Sequence, residues 1–499
     1  MSLQSNAVIG VVGAGTMGAG IAQVAAAAGH VVKFLDVREG AAASAHASIA
    51  TALSGLVSKG RMDEAQRSAL LSRITPVTKL ADFSDAALVV EVIVENLEAK
   101  QVLLRELEQH VTSHAILASN TSSISITAIA NGLQHPERVV GMHFFNPVPL
   151  MKLVEVVSGA ETQQSYADAV FDLAQAWGKT AVHAKSTPGF IVNRIARPFY
   201  AETLQLLQEQ AVTPAHIDLV MRSVGFRMGP CELMDLIGHD INYAVTNSVF
   251  DANYGDKRYQ PSLVQKALLD GGRLGRKVGK GFYEGIPVPL ALQAPTGPAV
   301  TIQVMGNAPL LLRFMEIAKL RGVKVSHDAD ADWQGLFIDE TECHLCDGRT
   351  AVQLSFERGH ANCAVIDWPV FTDKSDALPL AYAPSLDATQ RSQIEATLQH
   401  AGLQPVVMRD VSGLLIARTI AMLINEAADA VWQGVCSEQA ADQAMKLGTN
   451  YPAGPFEWLQ QIGAVSVSQL LEHLFMMYRS ERYRISPLLH QRYWQELAN

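Results

Sequence analysis

The order of apolar and polar positions predicts a strand, a turn, a helix and a second strand at the start of the chain. Residues 8–12 form a short apolar run, and residues 19–28 are a stretch of small residues typical of a helix. A second apolar run, 31–35, ends in Asp36. Short apolar runs bounded by turn residues are typical of strands buried on both faces, as in a parallel sheet. The pattern therefore predicts an α/β domain.

Three further apolar runs, at residues 87–94, 115–118 and 139–142, predict more strands of the same sheet. After them the period changes, and apolar residues recur at helical spacing to about Leu269. The first helix of this region is predicted over Pro188–Leu207, with Thr187 and Pro188 opening it. We therefore expect an all-helical domain to follow the sheet.

The turn between the first strand and its helix has a glycine pattern suited to a pyrophosphate. Its sequence, GAGTMG, places glycines at 13, 15 and 18, with Thr16 and Met17 at the start of the helix. Gly13 permits the tight turn, Gly15 lets backbone approach the phosphates, and Gly18 lets helix and strand pack closely. The N–H groups at the helix N-terminus complete the site. The alternative is a glycine-rich turn that binds nothing.

Asp36 selects between the two nicotinamide dinucleotides. It lies 23 positions after Gly13, where an acid can accept hydrogen bonds from both ribose hydroxyls. The same carboxylate would repel a 2′-phosphate, so we predict a Rossmann-like domain that binds NAD and not NADP. Arg38 nearby is a counter-indication.

Polar residues follow the ends of the next two predicted strands. Glu91 interrupts the run at 87–94, and Glu95 closes it. The sequence SNTSS, which includes Asn120 and Ser122, follows the run at 115–118. Carboxyl ends of parallel strands form the ligand crevice of such a sheet, so we expect these side chains there. Ser and Asn are also favoured as helix N-caps, and the two roles are compatible.

His143 follows the run at 139–142, and Glu155 lies at the start of an adjacent hydrophobic stretch. Oxidation of a secondary alcohol by hydride loss needs a base for the hydroxyl proton, and imidazole suits this near neutral pH. A buried carboxylate on the other ring nitrogen would fix the tautomer. We therefore predict His143 as general base and Glu155 as the residue that orients it. The alternative is a histidine that merely fills the core.

Five segments together resemble the L-3-hydroxyacyl-CoA dehydrogenase family in order and spacing over roughly residues 6–285. They are GAGTMGAGIAQ, VEVIVENLEAK, SNTSS, GMHFFNPVPLMKLVEVV and STPGFIVNR. The whole arrangement resembles the longer bacterial members, of the 3-hydroxybutyryl-CoA or 3-hydroxyadipyl-CoA type linked to phenylacetate breakdown.

The resemblance implies NAD-dependent oxidation of (S)-3-hydroxyacyl-CoA to 3-ketoacyl-CoA. It implies that Ser122 and Asn193 hydrogen-bond the substrate 3-oxygen, and that Lys59 contacts the coenzyme A part. Without it, Lys59 and Lys277 would be predicted as solvated surface charges. The NAD site that it implies is lined by Gly13, Gly15, Gly18, Asp36, Glu95, Lys100, Asn146 and Lys277.

The second half of the chain repeats the first in reduced form. Prolines at 287, 289, 295 and 298 mark a boundary, after which strand-like and helical runs alternate to about Val407. The turn that begins at Gly306 lacks the GxGxxG pattern, so no second NAD is expected. We expect four domains: an NAD-binding Rossmann domain (1–185), a helical domain (186–285), a reduced Rossmann-like domain (286–407) and a second helical domain (408–499).

The last domain is a copy of the first helical one. SGLLIAR aligns with PGFIVNR, and Glu426 aligns with Glu202 at the same offset of 224 residues. Ala417 stands where the first copy has Asn193, so we expect the second copy to be non-catalytic. We expect the two copies to pack as a pseudo-dimer within one chain, although a homodimer stays open.

Composition excludes some partners. The chain has 39 Lys and Arg against 49 Asp and Glu, a net charge of −10, which argues against nucleic acid or an anionic membrane. No apolar stretch approaches the ~20 residues that span a bilayer, and no signal peptide is visible. Five scattered cysteines, with Cys343 and Cys346 as a single CxxC, predict reduced thiols in the cytoplasm and no metal site.

Two other functions are compatible with the pattern. One is a β-hydroxyacid dehydrogenase of the 6-phosphogluconate or 3-hydroxyisobutyrate type, which the pair His143 and Glu155 disfavours because such enzymes rely on a lysine. The other is a non-catalytic binder that kept the fold.

The length of the substrate's acyl chain is open. A dicarboxylyl substrate would need a cation, for which Arg194 and Arg197 are candidates, although arginines on a helix more often form salt bridges.

Overall fold

The structure, a computed structural model, describes residues 3–4, 6–288, 290, 294, 300–370 and 377–498. It divides into two compact units. The first consists of Met1–Asn193 and Gly434–Thr449, and the second of Arg194–Gln433 and Asn450–Asn499. Of the four prolines at the predicted boundary, Pro287 is described, whereas Pro289, Pro295 and Pro298 lie outside the described residues.

The first unit is built on an eight-stranded sheet in the order β3-β2-β1-β4-β5-β6-β7-β8. Every neighbouring pair is parallel except β6 and β7, which are antiparallel. The order reverses between β1 and β4, the switch point at which such sheets bind ligands. The strands are β1 (Val8–Val12), β2 (Val32–Leu35), β3 (Ile74–Pro76), β4 (Ala86–Glu91), β5 (Ile116–Ser119), β6 (Val139–Phe144), β7 (Leu153–Ser158) and β8 (Thr180–Lys185).

Helices cover this sheet, and the apolar runs of the sequence form its core. Val11, Phe34 and Val90 on the strands and Ile21 on the first helix are completely buried. The Rossmann-like domain predicted for this part of the chain is confirmed. The helices are α1 (Thr16–Ala27), α2 (Ala41–Ser58), α3 (Glu64–Ser72), α4 (Leu97–Glu108), α5 (Ile126–Ala130), α6 (Gln164–Ala176) and the short α7 (Val192–Ile195).

The helix predicted from Pro188 to Leu207 is wrong in its first part. Gly189 and Phe190 have positive φ angles of 77° and 47°, which a right-handed helix does not allow. A tight turn therefore precedes α7, and a longer helix begins only at Arg197. The strand predicted at 87–94 is also shorter, because β4 ends at Glu91.

The second unit contains two helical regions and a second sheet. Its first helices are α8 (Arg197–Gln208), α9 (Pro214–Ser223), α10 (Pro230–Ile237), α11 (His239–Ala252) and α12 (Leu263–Asp270). The sheet region follows with β9 (Ile302–Met305), α13 (Pro309–Leu320), β10 (Val325–Asp328), β11 (Gly335–Ile338), β12 (Thr341–Leu345), α14 (Ala351–Arg358), β13 (Cys363–Ile366), β14 (Ala377–Tyr382), α15 (Ala388–His400) and β15 (Gln404–Val407). The last helices are α16 (Ile416–Trp432), α17 (Glu438–Thr449), α18 (Pro455–Ile462), α19 (Ala464–Tyr478) and α20 (Pro487–Leu497). Of these, α17 belongs to the first unit.

The second sheet has seven strands in the order β10-β9-β11-β12-β13-β14-β15, with parallel and antiparallel pairs mixed. This is the reduced Rossmann-like region that the sequence predicts. At its first turn the Gln334 side chain accepts a hydrogen bond from Ala308 N at 2.8 Å. A Cβ on Gly306 would lie 2.3 Å from the same amide. The Gln334 side chain therefore fills the space beside Gly306 at this turn.

The two helical copies pack within the second unit around a buried network that repeats at the 224-residue offset. Arg194 Nε donates to Glu426 Oε1 at 2.6 Å, and Arg418 Nε donates to Glu202 Oε2 at 2.7 Å. Each glutamate is completely buried and accepts from an arginine of the other copy. The same offset relates the further partners Arg258 and Tyr259 of Glu426 to Arg482 and Tyr483 of Glu202.

None of the helices in the described part of the chain has the length and apolar character needed to cross a bilayer. Within the same residues, Cys343 and Cys346 are buried and belong to no cluster of metal-ligating side chains.

Candidate active site

The glycine turn after β1 fits a pyrophosphate. A Cβ on Gly13 would lie 2.4 Å from Val92 O, and one on Gly18 would lie 1.8 Å from Gly13 O, so neither position admits a side chain. Gly15 has no atom within 4 Å of its hypothetical Cβ and caps α1 without a side-chain hydrogen bond. The helix N-terminus therefore faces open space over Gly15, where a phosphate can approach its N–H groups.

Asp36 follows β2 on the same edge of the sheet. Its Oδ2 accepts a hydrogen bond from Ala14 N at 2.7 Å, and its Oδ1 accepts from Arg38 Nε at 3.0 Å. The side-chain hydrogen bond from Arg38 lowers the pKa of Asp36 to about 2, against the opposing effect of burial. Asp36 is therefore a carboxylate at neutral pH, fixed beside the glycine turn and able to accept hydrogen bonds from a ribose.

A buried ion pair lies at the end of β4. Lys100 Nζ is 2.6 Å from Glu91 Oε1, and the two side chains are 1% and 0% exposed. Glu91 Oε2 also accepts from Ser119 Oγ at 2.7 Å, which joins the ends of β4 and β5. Lys100 was expected to line the NAD site, and in the structure its side chain is buried, with Nζ 3.3 Å from Glu95 Oε2.

Glu95 organises the loop after β5. Its Oε1 accepts from the backbone N–H groups of Ser122 at 3.0 Å and Ser123 at 3.2 Å, and from the Thr121 hydroxyl. Burial acts to raise the pKa of Glu95, but the hydrogen bond from Thr121 and the charge of Lys100 outweigh it and keep that pKa below its usual value. The SNTSS loop is thus folded around one carboxylate.

Two amide side chains fix this loop to its surroundings. Asn120 Oδ1 accepts from Phe144 N at 2.9 Å and ties the end of β5 to the end of β6. Asn193 Nδ2 lies 3.4 Å from Ser122 O. The structure therefore brings together Ser122 and Asn193, the two residues that the family resemblance assigns to the substrate 3-oxygen.

His143 and Glu155 occupy directly opposed positions on the antiparallel strands β6 and β7. His143 Nδ1 lies 2.6 Å from Glu155 Oε2. The sequence places His143 just after a strand, whereas the structure places it within β6. The strand is longer than predicted because its pairing with β7 continues to Phe144.

Glu155 is completely buried, and its second oxygen is also occupied. Glu155 Oε1 accepts from Ile191 N at 3.0 Å and Val192 N at 2.9 Å, at the start of α7. A carboxylate can only accept, so the Nδ1 of neutral His143 must carry the proton that it shares with Oε2. The Nε2 atom then has the free electron pair, which is the tautomer a general base requires.

Aromatic rings surround the imidazole. The Phe145 ring is 4.5 Å and the Phe190 ring 5.9 Å from it, centroid to centroid, and His143 is only 6% exposed. Few water molecules can reach such a group, so its hydrogen bond with Glu155 is strengthened by the low local dielectric.

The other expected site residues lie at the surface. Thr16 and Asn146 are exposed, Met17 is half-buried, and Lys59 is exposed at the C-terminal cap of α2. In the second unit, Lys277 Nζ lies 2.5 Å from Asp240 Oδ2. These positions leave Lys59 accessible to a ligand, whereas Lys277 already has an ionic partner.

Arg194 and Arg197, the candidates for a dicarboxylyl substrate, are both buried in the second unit. Arg194 is engaged by Glu426 and by Gln433, whose Oε1 is 2.9 Å from its Nη1. Arg194 is therefore structural. Arg197 Nη1 donates to Thr246 Oγ1 at 3.2 Å, and its guanidinium lies 5.0 Å from the Tyr200 ring centroid.

Helix α17 contributes to the first unit from late in the sequence, which was not predicted. Helix α17 packs against β7 and β8 within the first unit. A Cβ on Gly448 would lie 2.7 Å from Leu153 Cδ2 and 3.0 Å from Val192 Cγ2, on the two elements that hold Glu155. The signal in the sequence is a glycine within a helical pattern, which marks a close approach.

Models of known protein families match the chain in successive segments that correspond to these regions. Residues 8–187 match the family model described as 3-hydroxyacyl-CoA dehydrogenase, NAD binding domain. Residues 189–285 and 413–496 both match the C-terminal domain of the same family. Residues 343–411 match the model described as 3-hydroxybutyryl-CoA dehydrogenase reduced Rossmann-fold domain.

Individual relatives agree with these models. The chain is 41% identical over 485 residues to 3-hydroxyadipyl-CoA dehydrogenase of Escherichia coli (strain K12), which covers 97% of each protein. It is 43% identical over 276 residues to a probable 3-hydroxybutyryl-CoA dehydrogenase of Deinococcus radiodurans, covering 55% of this chain and 99% of that one. The crystal structure of 3-hydroxybutyryl-CoA dehydrogenase from Escherichia coli K12 superposes with a TM-score of 0.89 at 40% identity, covering 99% of this chain and 100% of that one.

Proposed function

This chain belongs to the 3-hydroxyacyl-CoA dehydrogenase family of NAD-dependent oxidoreductases, and we propose that it oxidises a short or dicarboxylyl (S)-3-hydroxyacyl-CoA to the 3-ketoacyl-CoA with His143 as general base. The observation that carries the proposal is the buried hydrogen bond between His143 and Glu155 at the ligand-binding edge of the sheet. The alternative of a lysine-based β-hydroxyacid dehydrogenase has no such support.

His143 takes the proton of the 3-hydroxyl group at Nε2. Glu155 holds Nδ1–H and stabilises the imidazolium that forms, while the two N–H groups at the start of α7 keep the carboxylate in place. In the reverse direction protonated His143 returns the proton to the 3-oxygen. Bound NAD+ supplies the hydride acceptor.

Ser122 and Asn193 orient the 3-oxygen toward His143, and their positions depend on Glu95 through the loop after β5. Lys100 acts on this loop through Glu95, so we assign it a positioning role. The NAD is held by the glycine turn, with Thr16 and Met17 at the helix N-terminus, and by Asp36 at the ribose. Asn146, Lys277 and, for coenzyme A, Lys59 complete the proposed ligand contacts.

Two substitutions test the acid–base assignment. His143→Gln should lower kcat by about 10²–10⁴-fold, the usual contribution of a general base. Glu155→Gln should lower kcat in the same direction and change its pH profile, because a neutral amide no longer stabilises the imidazolium. Circular dichroism and NADH binding should be unchanged in His143→Gln. Near-normal turnover of His143→Gln would refute the proposal.

The acyl group is addressed by a substrate panel. Relatives that match nearly the whole chain are named for 3-hydroxyadipyl-CoA and for 3-hydroxybutyryl-CoA. Of these two ester types we propose the dicarboxylyl one as the preferred substrate, after the relative that is 41% identical over 97% of the chain. NADH oxidation with 3-oxoadipyl-CoA, acetoacetyl-CoA and longer 3-ketoacyl-CoAs measures this directly. A higher kcat/KM for acetoacetyl-CoA would contradict it.

We also propose that the second helical copy takes the place of a partner subunit. The reciprocal pairs of Arg194 with Glu426 and Arg418 with Glu202 form the isologous pattern of a two-fold interface within one chain. Sedimentation of Glu426→Lys distinguishes an interface within one chain from an interface between two chains. A destabilised chain of unchanged oligomeric state supports the proposal, whereas dissociation of a dimer with full stability contradicts it.

A further inference from the structure

The loop between β6 and β7, residues 145–152, begins at the edge of the sheet that carries the glycine turn. Strand β6 is parallel to β5, and β5, β4 and β1 are parallel in turn, so all four strands end at that edge. The loop also joins the strands that carry His143 and Glu155. Asn146 and Leu150 within it are exposed, Leu150 to 76%. The conformation of this loop therefore depends on a few anchoring contacts.

Val148 anchors the loop to α1. Its side chain is 2% exposed, and a Cβ on Gly20 would lie 2.8 Å from Val148 Cβ. Gly20 lies four residues after Thr16, the first residue of α1. The loop therefore packs against the helix whose N-terminus we propose to bind the pyrophosphate.

Lys179 is a second anchor, and it comes from the segment between α6 and β8. Its Nζ donates to Val148 O at 2.5 Å and to Met151 O at 2.8 Å. Within the loop, the N–H groups of Leu150 and Met151 both donate to Pro147 O, at 2.9 Å and 3.0 Å. Lys179 thus binds the two ends of a turn that the loop itself closes, and it fixes that turn to the body of the domain.

The position of this ammonium group is not explained by an ion pair. Lys179 is half-buried, burial lowers the pKa of its ammonium, and no carboxylate among the described residues offsets that effect. A partly desolvated cation is unfavourable unless polar groups replace its water, and the two carbonyl groups do so here. A lysine that only covered the surface would extend its ammonium into solvent. The contact therefore indicates a specific role in holding the loop.

The pair of His143 and Glu155 does not need this anchor. The register of β6 and β7 continues past the pair to Phe144 and Val154, and the N–H groups at the start of α7 hold the second carboxylate oxygen. Loss of the Lys179 hydrogen bonds should therefore displace the loop and leave the acid–base pair in place. The effect should fall on the ligand that lies against α1 and the glycine turn.

We propose that Lys179 is a positioning residue for the dinucleotide: its ammonium holds the loop of residues 145–152 against α1, so that the loop is in place before the dinucleotide binds. The inference rests on the proposed function, because it takes NAD as the ligand of the glycine turn. A dinucleotide that meets a loop already in place does not lose affinity to the ordering of that loop.

Steady-state kinetics of the full-length chain tests the proposal, with NADH and the 3-ketoacyl-CoA that wild type reduces. Lys179→Met keeps the length of the side chain and removes its donors. We expect the KM for NADH to rise about tenfold, as for a loop that is in place in about one molecule in ten. Because the acid–base pair is intact, kcat and the KM for the acyl-CoA should stay within about twofold.

Two further variants make the test specific. Lys179→Arg keeps a charged donor, so its KM for NADH should lie within about threefold of the wild-type value. Lys79→Met removes an exposed lysine of the same unit and is the matched control, with an unchanged KM. Fluorescence titration with NADH measures the same differences without turnover. If Lys179→Met does not fold, Lys179→Gln replaces it and should also raise the KM for NADH.

A lysine that serves only stability would give a different result. Lys179→Met would then lower the amount of folded enzyme, and with it the apparent kcat, while the KM for NADH stayed at the wild-type value. That result overturns the proposal, and so does a KM for NADH that rises as much in Lys179→Arg as in Lys179→Met. A wild type that reduces no 3-ketoacyl-CoA contradicts the proposed function instead, and in that case the NADH titration still decides the role of Lys179.

Discussion

Arg418 donates from Nε to Glu202 Oε2 over 2.7 Å, and neither side chain is exposed to solvent. Burial acts to raise the pKa of Glu202, but the charges of Arg482 and Arg418 outweigh it and hold that pKa below its usual value. The glutamate is therefore ionised inside the protein and depends on both arginines.

Removing one of these arginines should be strongly destabilising. Arg418→Met leaves Glu202 buried with only part of its compensation, which costs about 3–5 kcal/mol for a buried pair. The urea midpoint of the intact chain measures this cost. Arg313→Met, which removes an exposed arginine on α13, is the control and should change stability by less than about 1 kcal/mol. If Arg418→Met loses less than about 1 kcal/mol of stability, the network contributes little to folding.

The carboxylate of Asp36 should decide between NAD and NADP. Asp36→Ala removes an ionised group, so we expect the KM for NAD+ to rise about 10- to 100-fold, the value of one or two charge-assisted hydrogen bonds. The ratio of kcat/KM for NADP+ to that for NAD+ should increase at the same time, because Arg38 loses its partner. Steady-state kinetics with both dinucleotides measures this ratio. Glu39→Ala, an exposed acid nearby, should leave it unchanged.

Gly448 should be required for full activity although it lies far along the chain from His143 and Glu155. In Gly448→Val the new side chain meets Leu153 and Val192, so we expect a loss of about 1–3 kcal/mol from overpacking and a lower kcat through displacement of Glu155. Gly55→Val is the matched control, since a Cβ there meets nothing within 4 Å and the residue also lies within a helix. Equal effects of the two variants would contradict the assignment.

Asp367 gives the stability a definite pH dependence. It accepts hydrogen bonds from Leu415 N, Ile416 N and Ala417 N, yet burial raises its pKa from 3.8 to about 6. Between these values the folded chain holds a proton that the unfolded chain has released. The stability that Asp367 contributes is therefore complete below pH 3.8 and falls as pH rises to 6, by about 3 kcal/mol.

Asp367→Asn removes this titration. From pH 4 to pH 7, wild type should lose about 2.5 kcal/mol of unfolding free energy relative to Asp367→Asn. Urea unfolding at four or five pH values gives the curve. A difference that does not vary with pH would show that Asp367 has the same pKa in both states.

The parts of the site that depend on neighbouring residues in the sequence were predictable, and those that depend on long-range packing were not. The glycine turn and Asp36 form a local strand–turn–helix pattern, so spacing alone located them. His143 and Glu155 were predicted as a pair from their chemistry, but the antiparallel register that opposes them was not.

The buried pair of Glu91 and Lys100 was missed for a different reason. A charged residue within an apolar run shows that a partner exists without showing which one. The reciprocal arginine network needed the packing of two copies 224 residues apart, and the repeat in the sequence only suggested that packing. The insertion of α17 into the first unit left no sequence signal except Gly448.

The position of α17 has a consequence for synthesis of the chain. The first unit ends at Asn193 but includes Gly434–Thr449, with 240 residues between them. At the usual rate of ~5–20 residues per second, the ribosome needs roughly 12–50 s to make that interval. During this time β7 and β8 have emerged without the helix that covers them. We therefore expect the nascent chain to expose the apolar face of β7 and β8, the strand pair that carries Glu155, until α17 has been made.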